Sequence, residues 1–161
     1  MKKTLLILVA ILFLFSMMTS ADYIGSKKCK MCHKGEKKGN VFEKWMERSH
    51  SKAFETLKKE GKEKDPACLE CHTTAFNKGG YKIDDPDNVK FEGVGCESCH
   101  GPGSDYKKMS TMKDKAKSIA AGLIVPDEKL CVTCHDPKKS DTAKPFNKEE
   151  YFKKINHVFR K

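Results

Sequence analysis

The stretch Gly93-Val94-Gly95-Cys96-Glu97-Ser98-Cys99-His100-Gly101-Pro102-Gly103-Ser104 decides how this chain must fold. At its centre is Cys-x-x-Cys-His, the attachment signature of c-type haem. Two thiols on one short turn can each form a thioether to a haem vinyl group, and the next residue sets an imidazole under the iron. The spacing is itself the chemistry. The same pentad recurs at Cys29-Lys-Met-Cys32-His33, Cys68-Leu-Glu-Cys71-His72 and Cys131-Val-Thr-Cys134-His135. The four copies use all eight cysteines and four of the six histidines, so no thiol is left over.

Cysteine pairs at this spacing also make zinc sites and, outside the cytoplasm, disulfides. Neither explains a histidine at the same offset four times. A zinc ion held by two such pairs has no use for the adjacent imidazole, and a disulfide framework needs none. The pentads therefore predict four covalently attached haem c groups. Cys29, Cys32, Cys68, Cys71, Cys96, Cys99, Cys131 and Cys134 would be the thioether anchors. His33, His72, His100 and His135 would be the proximal iron ligands.

Working outward, the chain opens Met1-Lys2-Lys3, runs apolar from Leu5 to about Met18, and then reads Thr19-Ser20-Ala21. A basic start, an apolar run and a small-residue cleavage site form an export signal over 1–21. The apolar run is shorter than the roughly 20 residues a membrane span needs, so the mature chain, 22–161, is not expected to span a membrane. Export fits the chemistry, because thiols and haem are joined outside the reducing cytoplasm, and it predicts a periplasmic protein. At 34% charged residues, a single domain of this size has few aliphatics for a core. Four haems, one for about every 35 mature residues, supply the missing apolar surface, and the haem-free chain should be largely unfolded.

The formal charge is +10, of which Lys2 and Lys3 carry two. Such a balance can signal nucleic-acid or membrane binding. Here the haem propionates provide the counter-charge, so no nucleic-acid partner is expected. Lysines left exposed could steer an acidic redox partner.

Local patterns place the pentads on helices. Tyr23-Ile-Gly-Ser-Lys-Lys reads as a short leading segment before one helical turn. Asn40 to Leu57 has helical spacing, with Asn40 and Glu43 as a capping box and Gly61 as a stop. Its inward face would be Phe42, Trp45, Met46, Ala53, Phe54 and Leu57, with His50 on the edge. Residues 73–91 read as loop, with Gly79-Gly80 and Asp84-Asp85-Pro86-Asp87 as turns. Ser104 is placed to cap a helix to about Ala121, ended by Gly122, with Tyr106, Met109, Met112 or Lys113, Ala116 and Ile119 or Ala120 inward. Pro126-Asp127 should start a short helix carrying the fourth pentad. A last helix, from Asn147 to about Ile155, would face Tyr151, Phe152 and Ile155 inward and leave His157 just beyond its end.

The sixth iron position decides what each haem does. Histidine closes it at low potential, methionine raises the potential, and an empty position can take a small ligand. Only His50 and His157 remain for four such positions. Met109 and Met112 are candidate ligands, with core packing as the competing role. Met46 reads as core, and Met31, inside a pentad, is poorly placed to reach its own iron.

Tyr23-Ile-Gly-Ser, Trp45-Met-Glu-Arg-Ser-His50 with Ala53-Phe54, the glycine-flanked third pentad and Ile155-Asn-His157 together resemble the tetrahaem cytochrome c-554 family of exported cytochromes. The resemblance implies a mainly α, strand-poor small multihaem fold wrapped around four haems in stacked and perpendicular pairs. It implies that His50 ligates the third haem and His157 the fourth, and that the second can lack a distal ligand. Many relatives carry a histidine a few residues after Gly-Pro-Gly-Ser, serving the first haem. Here the chain reads Asp105-Tyr-Lys-Lys-Met109 instead, so the first haem takes Met109 or Met112, stays open, or is completed by a neighbouring molecule.

Three functions compete. The leading one is a periplasmic electron carrier passing electrons between a redox protein donor and acceptor, with no catalytic residues. The second is a reductase of nitric oxide, hydroxylamine or nitrite at an open second haem, against which stands the lack of a proton-delivery set near His72. The third is a subunit of an extracellular cytochrome filament, completed by a histidine from the next molecule.

Overall fold

A computed structural model describes residues 20–139 and 146–157. The export signal read at 1–21 lies outside the described residues except for its last two. The chain is a succession of short helices: α1 (Ser26–His33), α2 (Val41–Glu47), α3 (Ala53–Glu60), α4 (Pro66–His72), α5 (Cys96–His100), α6 (Met109–Met112), α7 (Lys115–Ala120), α8 (Glu128–Cys131) and α9 (Lys148–Ile155). Among the described residues there is no strand, only an isolated bridge between Thr73 and Glu92. The mainly α expectation is met. No described helix is long and apolar enough to cross a membrane.

Helix starts follow side-chain chemistry. Asp65 accepts a bond from the Ala67 N–H (2.9 Å) with Pro66 behind it; Asp114, Asp127 and Asn147 cap α7, α8 and α9 in the same way. Each satisfies an N–H that the first helical turn leaves without an intrahelical partner.

Two expected long helices are broken. Asn40 sits in the left-handed region (φ 51°) and makes no side-chain cap, while Glu43 turns to the Gly35 N–H (3.3 Å). The capping box does not form. The run to Leu57 then breaks at Arg48, which is extended, because the Ser51 hydroxyl donates to the carbonyls of Met46 (2.9 Å) and Arg48 (2.8 Å). Serine competing for backbone carbonyls is a general reason for such breaks. A 3-10 turn, Ser49–Lys52, bridges α2 and α3. Gly61 does stop α3, at φ 65°.

Ser104 caps nothing either. It bonds Asp22 instead, its hydroxyl accepting from the Asp22 N–H (2.8 Å), and α6 and α7 replace the single helix. Ser118, not Ile119, is the buried residue of α7, and Met46, Met109, Ile119 and Phe152 are exposed, against expectation. All four belong to helices of eight residues or fewer, in which one inward face cannot extend past two turns.

The polypeptide core is Phe54, Leu57, Leu69, Phe76, Tyr81 and Phe91, with Tyr23 and Cys68 against it. Half of it comes from the irregular stretch 73–91. That loop folds back through Thr74, whose N–H donates to Phe91 (2.9 Å) and whose carbonyl accepts from Tyr81 (3.0 Å).

Everything converges on α5 and its flanks. The Glu97 carboxylate, 2% exposed, accepts from the N–H groups of Ile24 (2.9 Å), Gly25 (2.7 Å) and Gly103 (2.7 Å). Ser26 Oγ accepts from the Cys96 N–H (3.0 Å). Thr74 Oγ1 accepts from Gly95 and donates to Gly93, each at 2.9 Å. On the other side the Val94 N–H donates to the His50 carbonyl (2.8 Å). Gly93 is glycine for two reasons: its φ is +77°, and a Cβ there would stand 2.6 Å from the Ser51 carbonyl oxygen.

Gly93→Ala should therefore unfold at clearly lower denaturant than Gly61→Ala. At Gly61 the space is open and only the left-handed strain of about 1–2 kcal/mol applies. Equal losses in the two variants would refute the close packing at Gly93.

Candidate haem-binding site

Each pentad sits on one helical turn. The first ends α1, the second ends α4 and the third is α5. In the fourth, the His135 N–H donates to the Cys131 carbonyl (3.0 Å), carrying the turn past the end of α8. Both thiols and the following imidazole thus face one side, as attachment of one porphyrin requires.

Backbone carbonyls set the tautomer of three histidine rings. Nδ1 of His72 lies 2.8 Å from the Ala53 carbonyl, that of His100 3.0 Å from Ile124, and that of His157 3.1 Å from Ile155. A carbonyl oxygen only accepts, so these bonds fix the proton on Nδ1 and leave the lone pair on Nε2. Burial pushes His33, His50, His100 and His135 below the usual imidazole range. Neutral rings are the form that binds metal.

Two pairs of rings face one another across the fold. His50 and His135 have centroids 5.9 Å apart, and His100 and His157 6.0 Å apart. This is the spacing of two imidazoles whose nitrogens each stand about 2 Å from one metal between them. The pairing is the reverse of that implied by the resemblance: His50 faces the fourth pentad and His157 the third. The bond from Val94 to the His50 carbonyl accounts for the first part, since it holds His50 by its backbone beside α5 and leaves the ring to turn away. The Trp45 indole N–H reinforces this, donating to the Val94 carbonyl at 2.9 Å.

The thiols show which pentads adjoin. Cys29 lies beside Cys96 and Cys71 beside Cys134, and Cys99 lies near Cys131 and Cys134. The attachment points therefore run first, third, fourth, second. Burial first, then the neighbouring thiols, push the Cys71 thiol up to about 12 and Cys99 up to about 11.

The residues fit haem better than a bare metal. Among the described residues no group of three or more histidine, cysteine or acidic side chains converges on a point. Some of the apolar side chains that the polypeptide leaves uncovered lie at the pentads: Met31 within the first, Val132 within the fourth, and Ile124 beside His100. Phe146 and Tyr151 pack on His135, at 6.0 and 5.2 Å.

Met109 starts α6, 63% exposed, while Met112 is half buried with its sulfur 3.9 Å from the Ser118 hydroxyl. Just before them Tyr106 is buried near Cys29, and its hydroxyl donates to the Gly101 carbonyl (2.8 Å). Sequence reading placed Tyr106 inward, where it is buried, and missed Glu97 and Thr74. Only Glu97 carried a signal, an acid between two cysteines in a glycine-flanked motif.

A family model described as "Cytochrome c554 and c-prime" matches residues 28–101. Cytochrome c-554 of Nitrosomonas europaea is 36% identical over 150 residues, which cover 74% of this chain and 60% of that protein. The chain thus spans under two thirds of that relative's length. C-type polyheme cytochrome OmcB of Geobacter sulfurreducens is 28% identical over 100 residues, 58% of this chain and 12% of that protein. Among solved structures, reduced cytochrome c554 from Nitrosomonas europaea superposes with a TM-score of 0.65 at 27% identity, over 88% of this chain and 86% of that one.

Trp45→Phe keeps the aromatic volume and removes the bond to Val94. It should lower unfolding stability by about 0.5–1.5 kcal/mol, and an unchanged denaturation midpoint would show that the bond does not hold the His50 turn to α5.

Proposed function

On its similarity to cytochrome c-554, we propose that this chain is a multihaem c-type electron-transfer cytochrome, a periplasmic carrier between a redox protein donor and a redox protein acceptor. Its four covalently attached haem c groups supply one-electron chemistry. The observation that carries the proposal is the contact order of the pentads, first to third to fourth to second, which leaves no attachment point isolated. Lys27, Lys28, Lys34 and Lys37 around the first pentad are exposed and join none of the ion pairs among the described residues. They favour a partner with an acidic face.

Eight cysteines anchor the rings, and His33, His72, His100 and His135 are the proximal ligands. His50 is the distal ligand at the fourth pentad and His157 at the third, as the ring spacings support. Met109 is assigned to the first, because Tyr106, three residues before it, packs near Cys29. The second is left without a distal side chain. The stretch after His72 offers no histidine or methionine and commits Phe76, Tyr81 and Phe91 to the core. An open iron is also where a nitrogen-oxide reductase would act, so turnover has to be measured directly.

The holoprotein should have the mass of the polypeptide plus four haems, and carbon monoxide should bind one ferrous iron per chain. His50→Ala should add a second carbon monoxide site and turn the haem of the fourth pentad high-spin. An unchanged spin-state count would reject His50 as a ligand. Catalytic consumption of nitric oxide or hydroxylamine by the wild type, lost when carbon monoxide fills the open iron, would replace the carrier reading with the enzyme one.

A further inference from the structure

Glu97 is the only charged side chain fully buried among the described residues. Three backbone N–H groups hold its carboxylate, yet none of the described ion pairs gives it a cation. Hydrogen bonds from neutral amides orient and solvate a charge but do not cancel it.

Its position is specific. The residue lies on α5 between Cys96 and Cys99. Its carboxylate reaches back to Ile24 and Gly25, the two residues that lead into α1 and the first pentad. The Cys29 thiol rests against Cys96, so the charge stands where two attachment points meet. Deprotonation of Cys29 is opposed by that contact first, then by burial, and also by the Glu97 charge. The Glu97 charge also opposes deprotonation of Cys96, in the third pentad.

A ferric haem carries one more positive charge than a ferrous one. A nearby negative charge therefore favours the oxidised form and lowers the potential. In a low-dielectric interior that effect is large, and salt screens it little.

We propose that Glu97 is a fixed negative charge that lowers the reduction potentials of the haems attached at the third and first pentads relative to those at the second and fourth. This rests on the four-haem carrier reading and adds a gradient to it. Electrons on the first and third haems are raised in energy, which drives them toward the other end of the row.

The test is a spectroelectrochemical titration of the purified four-haem protein, with potentials assigned to individual haems by magnetic resonance. Glu97→Gln should raise the third-pentad potential most and the first-pentad potential next, leaving the second and fourth unmoved. Asp105→Asn, which removes an exposed charge from the same segment, should move none. Should Glu97→Gln not mature with four haems, Tyr23→Lys leaves the carboxylate's hydrogen bonds in place and sets a cation near it; the same two potentials should rise. Four unchanged potentials, or four equal shifts, would overturn the proposal. So would loss of haem in both variants, which would assign the carboxylate to folding alone. A wild type without four haems would instead defeat the carrier reading itself.

Discussion

A buried carboxylate met by backbone N–H groups from two distant parts of the chain is the constraint on which this fold depends. Taking an ionised group out of water is costly unless it finds several donors. Glu97 finds them only where Ile24 and Gly25 and, from the other side, Gly103 are brought to it. That requirement ties the segment leading into the first pentad to the third pentad. Once it is met, Ser26, Thr74 and Val94 have partners in place, and the first pentad, the core-forming loop and the His50 turn are docked to one five-residue helix. The protein has few aliphatic residues with which to do this by burial alone. It uses polar bonds to a hub, and leaves the remaining apolar faces for the porphyrins.

Much of the site was legible because its chemistry is local. Two thiols and an imidazole on one turn need only five consecutive residues, so the pentads could be read directly, as could the helix starts at Asp127 and Asn147. The long helices were not legible. Periodicity registered the apolar spacing from Phe42 to Leu57 but not the Ser51 hydroxyl that takes two backbone carbonyls and opens the helix. Irregular backbone with a core role, as at Phe76, Tyr81 and Phe91, has no period to detect.

The partners of His50 and His157 show a different limit. A sequence can count spare imidazoles, but which ring they face depends on the route of the backbone between them. The Val94–His50 bond sets that route for one, and the end of α9 for the other.

The contact between Cys29 and Cys96 has a consequence for biogenesis. These sulfurs lie 67 positions apart in the sequence, and they come together in the folded chain, where they are largely enclosed. A ligation enzyme delivering porphyrin must reach each thiol pair while the segments are still apart. Maturation and folding are thus ordered in time: the cofactors are stitched on to an open chain, and closure of the hub around Glu97 then locks in what has been attached.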